Sequence, residues 1–183
     1  MDYIKIALHG KKNSGKDTSA RIFKKIFKDQ YKKNLTQTSF AYPIKKLALQ
    51  MLGFSSKREC PNLFYNSELR DHKIPGYELT YRDLCKKIGA VGKELDKDFW
   101  IKKTKVEFKD IIVSDLRYKN ELDFLKNEGF YLIKIFRDNV DKVDLETDLD
   151  DYQDWDYIID NTGSRDNLKK QIANIVHKII ETV

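Results

Sequence analysis

The stretch that most constrains this chain is Gly10-Lys11-Lys12-Asn13-Ser14-Gly15-Lys16-Asp17-Thr18, which follows directly on the apolar run Ile4-Lys5-Ile6-Ala7-Leu8. Its two glycines frame a loop ending in Gly-Lys, after which Ile22, Phe23, Ile26 and Phe27 recur at helical spacing. The order strand, glycine-framed loop, amphipathic helix is the layout of a P-loop. Main-chain N–H groups of such a loop curl around a phosphate chain. The lysine ammonium reaches the outer phosphates, and the helix after it turns its positive end towards them. The stretch therefore reads as a nucleoside triphosphate site. One position departs from the common pattern, in which Ser or Thr follows the lysine and holds magnesium. Here Asp17 stands there, with Thr18 next. A carboxylate is a good Mg²⁺ ligand, directly or through water, so Asp17 and Thr18 are the metal candidates on this side.

The bulk properties suit that reading. A chain of 183 residues, 40% hydrophobic and 35% charged, is expected to be one soluble domain with a sizeable core. No apolar run is long enough to span a membrane and the N-terminus lacks a signal-peptide pattern, so a cytoplasmic protein without a membrane partner is expected. The net charge of +6 and pI near 9.1 fit a polyanionic ligand. The lysines are scattered over the whole chain, and no basic stripe interleaved with aromatics stands out beyond the first helix. This argues against nucleic acid as the partner. Cys60 and Cys85 form no Cys-x-x-Cys pattern and read as reduced thiols, not as a zinc site.

Along the chain, strands are expected over 3–9, 35–40, 111–115, 131–136 and 155–159. Helices are expected over 15–31, 43–51, 80–87, 99–108 and 120–127, and from about 164 to the end. Thr80 is the expected N-cap of its helix, and Gly129 closes the helix before it in the sequence. Residues 54–75 are irregular and polar, and 138–154 are acidic. Strands alternating with helices imply an α/β fold, a mostly parallel sheet covered on both faces.

A second chemical element lies at Ile111-Ile112-Val113-Ser114-Asp115, a buried-type strand ending in a carboxylate and followed by Leu116 and Arg117. Ligands of open α/β sheets bind beyond the carboxyl ends of the strands. Asp115 there would face Mg²⁺, and the cationic fork of Arg117 would sit on the same phosphates and stabilise transferring charge. The plainer alternative is that Asp115 caps the next helix and Arg117 pairs with it.

At this point the chain resembles the phage-type deoxynucleoside monophosphate kinases. The resemblance rests on the 10–18 loop and on Ser39-Phe40-Ala41-Tyr42-Pro43-Ile44-Lys45. It continues through Thr80-Tyr81-Arg82-Asp83-Leu84, Gly89, Asp98-Phe99-Trp100 and Val113–Glu121. Leu149–Tyr152, Asp156–Ile159 and Asn161-Thr162-Gly163 complete it, so it spans nearly the whole chain in order. Animal phosphomevalonate kinases are similar in the Gly-Lys-Asp loop and the Ser-Asp-x-Arg stretch. The resemblance implies a P-loop NTPase three-layer α/β/α fold with five strands, its core at about 1–53 and 106–183. It also implies a helical substrate-binding insertion at about 54–105, a short lid at about 138–154 and a homodimer. The implied reaction passes the ATP γ-phosphoryl group to a deoxynucleoside monophosphate with Mg²⁺ as cofactor. Lys16, Asp115 and Arg117 are then catalytic. ATP is held by Gly10, Lys11, Lys12, Asn13, Ser14, Gly15, Lys16, Asp17, Thr18, Arg137, Asn161 and Gly163, and the acceptor by Ser39, Arg70, Arg82, Lys93, Trp100 and Arg117. Metal contacts fall to Asp17, Thr18 and Asp115.

Other residues have plainer readings. His9 reads as a structural strand-end histidine, and His72 and His177 have no partner pattern. Trp100 and Phe99 are core residues or base-stacking platforms. The acidic run Asp148, Asp150, Asp151, Asp154 reads as a solvated flap, without EF-hand spacing. The competing functions are a phosphomevalonate kinase-like enzyme and a basic P-loop nucleotide switch on nucleic acid.

Overall fold

A computed structural model describes residues 3–55, 69–106, 109–138 and 148–182. In chain order the elements are β1 (Lys5–His9), α1 (Lys16–Tyr31), β2 (Thr36–Thr38), α2 (Ala41–Met51), a 3₁₀ turn (Leu69–Asp71), α3 (Tyr81–Leu95) and α4 (Phe99–Lys103). Then follow β3 (Ile111–Leu116), α5 (Lys119–Asn127), β4 (Tyr131–Phe136), β5 (Tyr157–Asp160) and α6 (Arg165–Thr182). The chain divides into two compact units, Met1–Ser39 with Val106–Val183, and Phe40–Lys105.

The first unit is built on a five-stranded sheet in the order β2-β3-β1-β4-β5. Every pairing is parallel, so the sheet is parallel throughout, with Ile6 opposite Ile112 on one side and Tyr131 on the other. Parallel strands need crossover connections, and α1 and α5 supply them from β1 to β2 and from β3 to β4. Strands buried on both faces must be apolar on both, and Ile111, Ile112 and Val113 are all fully buried. On one face Ile4, Ile6, Leu8, Ile112, Ile133, Ile135 and Ile159 pack against Phe23 and Phe27 of α1 and Leu168, Ile172, Val176 and Ile179 of α6. α5 packs on β4 and buries Leu122 and Leu125. The architecture is α/β, a P-loop NTPase-like three-layer fold.

The second unit is helical. Ala48 and Leu49 of α2, Tyr81, Leu84 and Ile88 of α3, Trp100 of α4 and Ile74 share one core. Its longest helix starts at a reciprocal cap. Asp83 N–H donates to Thr80 Oγ1 at 3.1 Å, and Thr80 N–H donates to Asp83 Oδ2 at 3.0 Å.

Several boundaries differ from the sequence-based expectation for local reasons. β2 is an edge strand whose ladder with β3 covers only Thr36–Thr38. α2 begins two residues before Pro43, which the first turn tolerates because its N–H groups lack helical partners. α3 runs on past Lys87 to Leu95 through Gly89 and Gly92. A side chain at Gly92 would collide with the Trp100 indole, so that glycine is room for a ring, not a helix end. α4 stops at Lys103, while residues 107–108 lie outside the described residues. Trp155 precedes β5, because Asp156 rather than a further strand residue pairs with Leu132. Leu132 N–H donates to Asp156 Oδ2 at 2.7 Å, and Asp156 N–H donates to Leu132 O at 3.0 Å. Cys60 and residues 139–147 of the expected lid also lie outside the described residues.

Candidate phosphate-binding site

In a parallel sheet every strand delivers its carboxyl end to the same edge. From β1 the chain leaves towards β2, and from the adjacent β3 it leaves towards β4 on the opposite side, so the crevice of the fold opens between the ends of β1 and β3. The 10–15 loop leaves β1 at that point. Two of its positions admit no side chain. A Cβ on Gly10 would lie 2.5 Å from both Ile135 O and Ser14 Oγ. Gly15 has φ 101°, and a Cβ there would collide with Asn161 Nδ2. Asn13 is also left-handed at φ 63°, a conformation asparagine tolerates better than most residues. Left-handed residues in a tight turn point successive N–H groups into one concavity, which is how backbone alone makes an anion cradle. Ser14 N–H closes the turn on Lys11 O at 3.1 Å.

Side chains from two other strand ends hold this loop. Asn161, just past β5, donates from Nδ2 to Ser14 O at 2.8 Å. Arg137, just past β4, donates from Nη1 to Asn13 O at 3.4 Å. Lys16 opens α1, and its ammonium folds back onto the carbonyl oxygens of Gly10 and Lys11, the latter at 2.7 Å. The 16-residue α1 directs its positive end at the same place. Ser14 Oγ is buried in the loop and has no hydrogen-bond partner among the described residues.

β3 brings Asp115, half-buried, and Arg117 to the neighbouring end. The β1–β3 ladder shifts register between Ala7 and His9, so His9 stands opposite Leu116. The turn after β3 is held by Glu121, whose Oε2 accepts from Arg117 N–H at 2.9 Å and Tyr118 N–H at 3.1 Å. Glu121 is buried, and its role is a capping-box role that an acidic residue three positions after a helix start could have announced. The described end of the acidic stretch reaches the same place. Asp148 N–H donates to Arg117 O at 3.3 Å, and Asp150 Oδ2 lies 3.9 Å from Lys11 Nζ.

The sheet unit therefore collects the 10–18 loop, Ser39 at the end of β2, Asp115, Arg117, Arg137 and Asn161 at one edge. Gly163 follows two residues after Asn161, beside Asn167. Thr18 Oγ1 accepts from Arg21 Nη2 at 3.5 Å, and Asp17 is exposed. Among the described residues no three His, Cys, Asp or Glu side chains converge as a cation cage. Magnesium needs none, since it binds through one or two carboxylates, substrate phosphates and water, and Asp17 and Asp115 fit that donor set.

The remaining candidates belong to the helical unit. Arg70 lies in the 3₁₀ turn. Arg82 makes a two-pronged ion pair with Asp71, with Nη2 to Oδ2 at 2.8 Å. Lys93 is exposed in the last turn of α3. Trp100, expected at the acceptor, packs within this unit. It is 8% exposed, its indole N–H donates to Gly89 O at 2.9 Å, and Phe99 meets it edge-on with centroids 4.9 Å apart. Its ring is committed to the core. Cys85 is likewise a packing thiol, pushed up to about 11 by burial.

Among the described residues no helix is long and apolar enough to cross a membrane. No family model matches the chain. It is 26% identical over 194 residues, covering 94% of this chain and 96% of the other, to a protein of Acanthamoeba polyphaga mimivirus named "Putative deoxynucleotide monophosphate kinase".

Proposed function

We propose that this protein is a deoxynucleoside monophosphate kinase, transferring the γ-phosphoryl group of ATP to a dNMP to give dNDP and ADP. The observation that carries the reading is the pairing of a glycine-constrained loop and Lys16 with Asp115 and Arg117 on the adjacent strand end. The name of the viral relative, similar over nearly its whole length, supports the same reaction class.

In this reading the N–H groups of 10–15 and the start of α1 bind the donor phosphates, and Lys16 exchanges loop carbonyls for phosphate oxygens. Arg137 and Asn161 hold the loop in shape, with Gly163 near the base of the donor. An oxygen of the acceptor phosphate attacks the γ-phosphorus while the bond to the β–γ bridging oxygen breaks, and ADP leaves. The acceptor phosphate is already ionised near neutral pH, so no general base is required. Catalysis is positioning and charge neutralisation. Arg117 stabilises the transferring group, and Arg70, Arg82 and Lys93 with Ser39 are assigned to the acceptor. Bound magnesium supplies neutralisation of the phosphate oxygens, and Asp17, Thr18 and Asp115 are the residues that would hold it.

The test is ADP release from MgATP with a panel of the four dNMPs, their ribose counterparts and phosphomevalonate, using Lys16→Ala as the blank. Turnover with one or more dNMPs is the expected result. Turnover with phosphomevalonate alone overturns it in favour of the small-molecule kinase. Absence of acceptor-stimulated release overturns both, and a salt-dependent nucleic-acid affinity then becomes the measurement of interest.

A further inference from the structure

His9 is the last residue of β1 and the one immediately before the phosphate loop, yet no step above uses it. It is 2% exposed. Its Nδ1 lies 3.0 Å from Leu116 O. A carbonyl only accepts, so Nδ1 carries the proton and the imidazole is held in one tautomer. This bond spans the two strand ends that flank the crevice. It joins the residue before Gly10 to the residue before Arg117. The ladder shift between Ala7 and His9 is what brings His9 opposite Leu116.

The ring has a second partner. Trp155 stacks on it with centroids 4.9 Å apart and planes 15° from parallel. Trp155 is itself fixed on three sides. Its Nε1–H donates to Tyr152 O at 2.8 Å, Tyr152 meets it edge-on at 4.9 Å, and Lys134 Nζ lies 5.9 Å over the ring. The same segment touches the site twice more, through Asp148 N–H on Arg117 O and Asp150 beside Lys11. Leu149 between them is buried. Residues 148–155 thus grip the loop and the Arg117 turn together, and His9 is where all three meet.

We infer that His9 is a positioning residue that, through Leu116 and the Trp155 stack, sets Arg117 and the phosphate loop in their working relation. The inference rests on the kinase reading for its kinetic consequence. A buried histidine between Lys16, Lys134 and Asp150 is held neutral, chiefly by desolvation, and a neutral ring keeps the Nδ1–H bond without adding charge to the phosphate site.

Three variants separate the two contacts. His9→Ala removes both. His9→Asn keeps a donor near the Nδ1 position but loses the stack. His9→Phe keeps a stacking ring but loses the donor. For His9→Ala, kcat falls about tenfold to a hundredfold, the penalty for a misplaced transfer group, while KM for ATP stays within about threefold. His9→Asn and His9→Phe each recover part of the loss. Circular dichroism and a thermal melt on each variant give the folded fraction by which rates are normalised. Normalised kcat unchanged in His9→Ala, or no recovery in either conservative variant, overturns the inference.

A second readout does not depend on turnover. Nucleotide entering the loop shifts the emission of Trp155, with Trp155→Phe as the control for Trp100. His9→Asn abolishes the shift while ADP still binds in equilibrium dialysis. If ADP binds the wild type without changing Trp155 emission, the positioning role is wrong and the kinase reading stands. If no acceptor stimulates ADP release but the emission change is present and His9-dependent, the kinase reading is wrong and the coupling stands.

Discussion

At the carboxyl edge of the sheet, Lys16 and Arg137 donate to main-chain carbonyls, whereas in the helical unit Arg82 forks onto Asp71 and Lys102 pairs with Asp96. A carbonyl fixes a cation without cancelling its charge, while a carboxylate cancels it. The loop edge also carries the positive end of α1, which favours an arriving polyanion. In the helical unit an anion must displace Asp71 before it can use the Arg82 fork. The units also differ in how they are held. The loop depends on backbone positions that admit no Cβ, and the helices depend on a cap and a filled core.

Perturbing each unit should accordingly produce different kinds of loss. The largest effect is on rate. Lys16→Ala lowers dNMP-stimulated ADP release by about a thousandfold and costs under about 1 kcal/mol of stability. A variant that keeps its rate would remove the loop from the mechanism. Trp100→Ala inverts the pattern. Loss of a buried indole costs about 3–5 kcal/mol in urea unfolding, and the contrast with Lys16→Ala is sharpest if the surviving folded protein keeps its KM. A cost near that of a surface residue would favour Trp100 as a ligand platform over a core residue.

Smaller effects refine the comparison. Gly15→Ala forces a side chain into a left-handed position against Asn161 and costs about 1–3 kcal/mol, with a weaker ADP affinity by calorimetry. Equal affinity would mean that the loop relaxes around the methyl group. Thr80→Ala removes the cap of α3 and costs about 1 kcal/mol, read as faster amide exchange in the first turn of that helix and no change in ADP affinity. The smallest is a pH effect. Burial lowers the His9 pKa below its ordinary 6.5, so the unfolded chain takes up this proton first. Its contribution is fully present above 6.5 and is lost as pH falls through the lower folded value. His9→Asn should flatten that part of the stability–pH curve, and an unchanged slope would mean that His9 titrates as in the unfolded chain.

Much of the sheet unit is legible in the sequence. The apolar runs at Ile4–Leu8, Ile111–Val113 and Tyr131–Phe136 became strands because residues apolar on both faces have few other places to go. The loop was legible because its shape is set by backbone, and glycine spacing records backbone shape. The helical unit was harder to read. Gly89 and Gly92 look like a helix end, and only the Trp100 ring lying against Gly92 explains why α3 runs on to Leu95. Trp155 reads as a strand residue, yet it lies outside β5 because Asp156 takes the Leu132 pairing.

By itself the amino-acid sequence determined the order of strands and helices, the glycine-framed loop with Lys16, and the Asp115-x-Arg117 element, because each is a local pattern of spacing and polarity. Tertiary structure alone decided that β3 lies beside β1 and thereby brings Arg117 next to the loop. It also decided that Asn161 and Arg137 brace the loop from other strand ends, that Glu121 holds the Arg117 turn, and that His9 bonds across to Leu116 under Trp155. His9 and Trp155 are 146 positions apart, and His9 and Leu116 are 107. Contacts of that span leave no periodicity in a single chain, since they exist only once the crossovers have set which strand ends are neighbours.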